Sequence, residues 1–455
     1  MLVPLVAAFA TGSACRSRLA PRPPLNLLVV TLDTTRADAL GAYGGRAITP
    51  SLDYLASGGV VFEQASTVAP LTLPAHASLF TGLFPPSHGV RGNGQVALAP
   101  SSVTLAERLK TRGFRTGAFV SSFVLDRQWG LDQGFDVYHD GGIGAEQQID
   151  RESVRRPADR VVDDALDWMR QIESSRFFAW LHFYDAHAPA FPPPEFAPIG
   201  GGDNYFAAIG FIDFQLSRIM TFLAEHHLDE RTIVVIVGDH GESLGEHGEP
   251  THGLFVYESV LHVPFIIHGP LANTQGRRVS EPVRIVDVMP TVLDLLGESA
   301  APAINGQTLV PLMTGLPREA SLDVYSESRY PLDQFGWSPL SALRDRRYKL
   351  ILAPRPELYD LEADPRESVN LYQQRGDLAA SMTRRLQALQ QPARQETPAS
   401  VPVDAATRAR LASLGYIAAS APPPGSPPPT LADPKDQIDL YKQLTRTVRR
   451  QGELP

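Results

Sequence analysis

Residues 25–33 read LNLLVVTLD, a nearly unbroken apolar run that ends on an acid. Its length and its valine and leucine content suit a strand buried on both faces, as in a parallel sheet covered by helices. Working outward, similar runs recur at 117–120, 177–183, 232–237 and 263–267. Helix-like stretches lie between them at 50–57, 103–111, 158–172 and 205–226. Strands alternating with helices in this way predict βαβ units, hence an α/β fold with a mostly parallel central sheet sandwiched by helices. Asp33, Asp185 and Asp239 each stand where such a strand ends. That is the carboxyl edge, where open α/β sheets hold their ligands.

Beyond about residue 297 the pattern shortens. Residues 324–328, 341–343 and 348–352 read as short strands of a small antiparallel C-terminal α+β subdomain, followed by a turn-rich stretch at 357–371. Residues 392–434 contain PPPGSPPP and read as an extended linker, with a terminal helix at 435–450. The expected organisation is a leader and tether at 1–24, a catalytic domain at 25–300, its subdomain at 301–391, and linker plus helix at 392–455.

The 455 residues are 43% hydrophobic and 20% charged, the balance of an ordinary globular protein. A formal net charge of −9 argues against a nucleic-acid partner, which needs a basic face. It leaves an anionic small substrate open, because a bound cation reverses the local field. The single cysteine, Cys15, permits no intramolecular disulfide and no Cys-rich zinc site. Residues 1–14 are short, apolar and end in Gly-Ser-Ala before Cys15, which resembles a bacterial lipoprotein cleavage box. Export to the periplasm or cell envelope, with a membrane tether through a lipidated Cys15, is the expectation. No other apolar run reads as long and uninterrupted enough to cross a membrane.

Three segments carry candidate chemistry. In PLTLPAHASLFTG (70–82), Pro74 suits the first turn of a helix over 75–81 and sets Thr72 just ahead of it. A hydroxyl there either caps the helix or joins an anion at its positive end. As a nucleophile it needs a metal or a base nearby. In IVVIVGDHGE (233–242), Asp239 and His240 stand side by side at a strand end, a pair suited to zinc, manganese or a calcium-like ion. His247 and His252 follow within the same glycine-rich run. In WLHFYDAHAPAFPPP (180–194), Asp185 and His187 follow a strand, whereas His182 inside it reads as a hydrogen-bonded core histidine.

Together LLVVTLDTTRADALGAYG, LTLPAHASLFTG, His88-Gly89, GDHGESLGEHG, the later YESVLHVPFIIHGP and ELYDLEADPRESVNL resemble the sulfatase family of the alkaline-phosphatase superfamily. The resemblance implies an ester hydrolase in which Asp33, Thr72, Asp239 and His240 surround one divalent metal, zinc, manganese or calcium. It implies that His187 and His252 bind the substrate oxyanion or protonate the leaving group, and that Asn93 contacts an anionic ester substrate. Sulfatases carry Cys or Ser in a C/S-x-P-x-R signature, converted to formylglycine. Here the segment is Thr72-Leu73-Pro74-Ala75-His76, so no aldehyde can form, and His76 replaces the arginine. His76 either orients the nucleophile or faces the helix surface. Thr34 stands where a second metal carboxylate is usual. These departures are similar to the Thr-nucleophile branch, which cleaves phosphate and phosphonate esters. A phosphoethanolamine or glycerophosphate transferase, a catalytically idle binding protein, and sulfate ester cleavage by direct Thr attack are the alternatives.

Overall fold

The computed structural model describes residues 24–142, 155–172, 175–272, 274–298, 304–317, 323–392, 399–401, 403–414, 416 and 431–451. The leader and Cys15 lie outside them. The central sheet is built from β1 (Asn26–Leu32), β2 (Val60–Phe62), β3 (Arg115–Phe119), β4 (Val137–His139), β5 (Phe177–Phe183), β6 (Thr232–Gly238), β7 (Phe265–His268) and β8 (Arg277–Val279). Among the described residues their order is β8-β2-β7-β6-β1-β5-β3-β4, with β1 between β5 and β6. Every pairing is parallel except those of β7, which runs antiparallel to β2 and β6. The apolar run at 263–267 is therefore not one strand. Pro264, which has no N–H to donate, divides it, and His262–Val263 pairs with Ala65–Ser66 in a separate small sheet.

The apolar runs are unbroken because each strand packs on both faces. Leu27, Val29, Trp180, Val235 and Val237 join one core with Leu73, Ala77 and Phe80 of the helix Thr72–Thr81. Leu28, Val30, Leu181, Val234 and Ile236 face the other core, under the helices Ala158–Gln171 and Asn204–Glu225. The latter helix is long and apolar enough by composition to cross a membrane, contrary to the sequence expectation. It is instead largely buried against the sheet as a core helix.

The subdomain is an antiparallel meander of β9 (Val324–Ser328), β10 (Leu340–Arg344), β11 (Tyr348–Leu352) and β12 (Glu357–Asp360). The sequence placed residues 357–360 in a turn-rich stretch; here they form the fourth strand. The helix Gly376–Gln390 buries Met382 and Leu386 on the core side. Lys349 of β11 ties this sheet to the loop that leaves the site. It is fully buried, with its ammonium 2.9 Å from Glu258 and 2.8 Å from Glu367. Removing one partner from a buried cluster leaves uncompensated charge, so Lys349→Ala should cost about 3–5 kcal/mol in urea unfolding.

Residues 392–434 do not behave as a plain linker where described. Ala399–Ser400 pairs with Val96–Ala97, and Ala405–Ser413 forms a helix capped by Asp404. The terminal helix spans Ile438–Gln451 and follows a 3₁₀ turn at Pro434–Gln437.

Candidate active site

Register brings the first two acids together. β1 and β6 pair in parallel with Leu32 beside Gly238, so Asp33 and Asp239 leave adjacent strands at the same edge. Both are fully buried. Gly238 permits the approach, since a Cβ there would meet the Thr35 carbonyl oxygen at 3.0 Å and Pro264 Cδ at 2.9 Å.

Thr72 is the first residue of its helix rather than the residue before it, and the N-cap position belongs to Leu71. Its hydroxyl does not cap the helix. It donates to Asp33 Oδ2 at 3.2 Å and lies 3.4 Å from His240 Nε2. The helix N-terminus is also less open than expected, because the Leu73 N–H already donates to Asn93 Oδ1 at 2.9 Å.

His240 Nδ1 donates to the Gly241 carbonyl at 3.0 Å, which leaves the Nε2 lone pair facing Asp33 Oδ1 at 3.9 Å and Asp239 Oδ2 at 3.7 Å. A carbonyl that fixes the tautomer from behind is the usual support of a metal-binding histidine. Asp33 Oδ1 and Asp239 Oδ2 are buried without a hydrogen-bond partner among the described residues. Ligand atoms of Asp33, Asp239 and His240 lie within 4.8 Å of one another. Burial holds Asp33 well above the usual carboxylate range, with the Glu242 charge adding to it and the Thr72 hydroxyl opposing it. Burial and then the Asp33 charge do the same to Asp239. Burial brings His240 down to about 4, so its imidazole is neutral and free to ligate. Two orphaned carboxylate oxygens, a neutral imidazole nitrogen and a hydroxyl facing one point fit a divalent cation.

His76 points inward, not to the helix surface. Its Nδ1 donates to the Thr72 carbonyl at 2.8 Å and its Nε2 faces Thr31 Oγ1 at 3.0 Å. His182 is a buried, hydrogen-bonded histidine as the sequence suggested, but its partner is the candidate ligand Asp33. The Ser121 N–H reaches His182 Nδ1 at 3.4 Å, so Nε2 carries the proton and donates to Asp33 Oδ2 at 3.2 Å.

His187 and His252 gather beside His240, while Asn93 is held at the start of the Thr72 helix through Leu73. The ring of His252 lies 4.6 Å from that of His240 and 4.8 Å from that of His187. His252 Nδ1 donates to Glu242 at 3.2 Å, which turns Nε2 away from the carboxylate. Burial lowers His252 to about 3. His187 Nδ1 donates to the Ala188 carbonyl at 2.9 Å, and its buried Nε2 has no hydrogen-bond partner among the described residues. Two sequence candidates fall elsewhere. Asp185 accepts the Ala158 N–H at 3.3 Å and so serves the start of a helix. His247 stacks on Tyr257 with ring centroids 3.5 Å apart. Glu242 was not singled out from the sequence, although its place three residues after Asp239 in the same loop was a usable signal.

Comparison with known proteins agrees with this fold. The sulfatase family model matches residues 25–298, and the model of the N-sulphoglucosamine sulphohydrolase C-terminal region matches residues 245–392. An arylsulfatase of Clostridium perfringens is 24% identical over 436 residues, spanning 76% of this chain and 90% of its own. Among solved structures, the phosphonate monoester hydrolase of Agrobacterium radiobacter superposes with a TM-score of 0.67 at 21% identity, covering 83% of this chain and 100% of that one. A protein solved with its substrate D-glucosamine-2-N,6-O-disulfate gives a TM-score of 0.70 at 19% identity, covering 82% and 100%. With the family model matching more than half of its residues, this chain belongs to the sulfatase family and is an ester hydrolase.

Proposed function

We propose that the chain is a metal-dependent hydrolase of anionic esters, phosphate or phosphonate in preference to sulfate, with Thr72 as its nucleophile. The observation that carries this reading is the direction of the Thr72 hydroxyl, toward Asp33 Oδ2 and His240 Nε2 rather than its own helix. Asp33, Asp239, His240 and Thr72 would hold one divalent cation. When bound, such a cation lowers the pKa of a coordinated hydroxyl and offsets charge on the ester oxygens. Thr72 Oγ1 attacks phosphorus, the bond to the leaving oxygen breaks, and the hydroxyl proton has Asp33 Oδ2 as its nearest acceptor. His252, steadied by Glu242, stands beside both His240 and His187, whose Nδ1 is held by the Ala188 carbonyl. His182 keeps Asp33 from rotating, and His76 does the same for the Thr72 backbone. Water then cleaves the threonyl ester at phosphorus and restores the hydroxyl. The extra methyl of threonine rules out the aldehyde route of a formylglycine, so the second step must be attack at phosphorus.

The test is hydrolysis of 4-nitrophenyl phosphate, bis(4-nitrophenyl) phosphate, 4-nitrophenyl phenylphosphonate and 4-nitrophenyl sulfate by the zinc- or manganese-loaded protein. Faster phosphoester or phosphonate turnover supports the reading, and turnover confined to the sulfate contradicts it.

A further inference from the structure

The chain beyond residue 392 lies outside both family models, yet described residues within it return to the site. Ala399–Ser400 adds a strand to Val96–Ala97, three residues after Asn93. The helix Ala405–Ser413 then lays Leu411 over Gly94, so closely that a Cβ at Gly94 would stand 2.4 Å from Leu411 Cδ1. Gly94 also has φ +75°, and both facts demand glycine there. This seat delivers Tyr416, buried with its ring 6.2 Å edge-on from that of Tyr330. The Tyr416 hydroxyl faces Asn93 and feels the charges of Asp33 and Asp239, which, after burial, help to hold the phenol in its neutral, donating form.

Asn93 is the second observation. Its Oδ1 is committed to the Leu73 N–H, which fixes which end of the amide is which. Its Nδ2 is thereby turned the other way, buried, and without a hydrogen bond of ordinary geometry among the described residues. The Asn93 amide N–H₂ and the Tyr416 phenol face each other beside two metal-facing carboxylates, and both are neutral donors. We infer that residues 403–414 and Tyr416 complete the substrate site, and that Tyr416 Oη and Asn93 Nδ2 together bind an oxygen of the anionic ester. Tyr416 is then a substrate-contacting residue supplied from outside the family fold. The inference rests on the reading of Thr72 and its neighbours as an ester site.

Tyr416→Phe in the full chain keeps the ring against Tyr330 and removes only the hydroxyl. The expected result is a rise in KM for 4-nitrophenyl phosphate of about tenfold or more with kcat within about threefold, and a parallel loss in calorimetric binding of inorganic phosphate. Leu411→Ala, which loosens the seat without touching substrate, should raise KM in the same direction. Unchanged KM and unchanged phosphate binding in Tyr416→Phe, with an active wild type, would overturn the role of the tail while leaving the site reading intact. A gain in kcat/KM in either variant would also overturn it, because the tail would then be blocking the site. A metal-loaded wild type that neither turns over the ester nor binds phosphate or sulfate would remove the site reading and this inference with it.

Discussion

Thr72→Ala should lower turnover of every ester substrate by at least about a thousandfold while the protein remains folded. The reason is positional. Thr72 Oγ1 touches the Asp33 carboxylate, and it lies beside His240 Nε2 at the end of the strand that leads to Asp239. Ser78, one helical turn and more away on the same helix, is hydrogen-bonded to His88 instead. Loss of one hydroxyl and one methyl at a buried helix start should cost about 1–2 kcal/mol, well short of unfolding a domain of this size. Asp33 Oδ2 keeps its bond from His182 in the variant. Thr72→Ser restores the nucleophile and should recover most of the rate. Activity assays on the purified variants, with thermal melts as the folding control, check both outcomes.

The second large effect concerns the metal and has two opposite signs. In the metal-free protein Asp33 and Asp239 are buried side by side with orphaned oxygens. Their folded-state pKa values are raised, so their contribution to stability is present at acid pH and is lost as pH rises above the ordinary carboxylate range. Asp239→Asn removes one of the two charges. The metal-free variant should therefore be more stable than the metal-free wild type at neutral pH, by about 1–3 kcal/mol, and the gap should close on acidification. With metal the order reverses. A site saturated a thousandfold above its Kd adds about 4 kcal/mol to the wild type, and the variant should gain little. Turnover should vanish in both the chelated wild type and Asp239→Asn. Melting temperatures with and without zinc or manganese, across pH 5 to 8, read all of this in one series.

Much of this site was legible in the sequence because it sits at strand ends. The runs before Asp33 and Asp239 are apolar on both faces, so the acids mark where the sheet stops, and parallel pairing puts the stops at one edge. Thr72 was legible from Pro74, although the helix begins at Thr72, three residues before the expected start at 75. The gathering of Asp33, Thr72, Asp239 and His240 thus followed from local pattern combined with family resemblance. What was not legible depended on long-range packing. His182 reads as one more residue of a buried strand, and only the turn at Ser121 shows why its proton faces Asp33. His247 looked like a member of the histidine cluster, but its positive φ of 51° turns it onto Tyr257. Tyr416 lies in a stretch whose proline and alanine content reads as linker. Its burial comes from Leu411 finding Gly94 more than three hundred residues earlier in the chain, a contact that no local pattern announces.

The most direct measurement is acid quenching of the metal-loaded enzyme during turnover of 4-nitrophenyl phosphate, followed by peptide mass spectrometry. The expected result is phosphothreonine at Thr72, present in wild type and absent from Thr72→Ala. Turnover at full rate with no phosphate on Thr72, or with the label on another residue, would contradict the assignment of Thr72 as nucleophile.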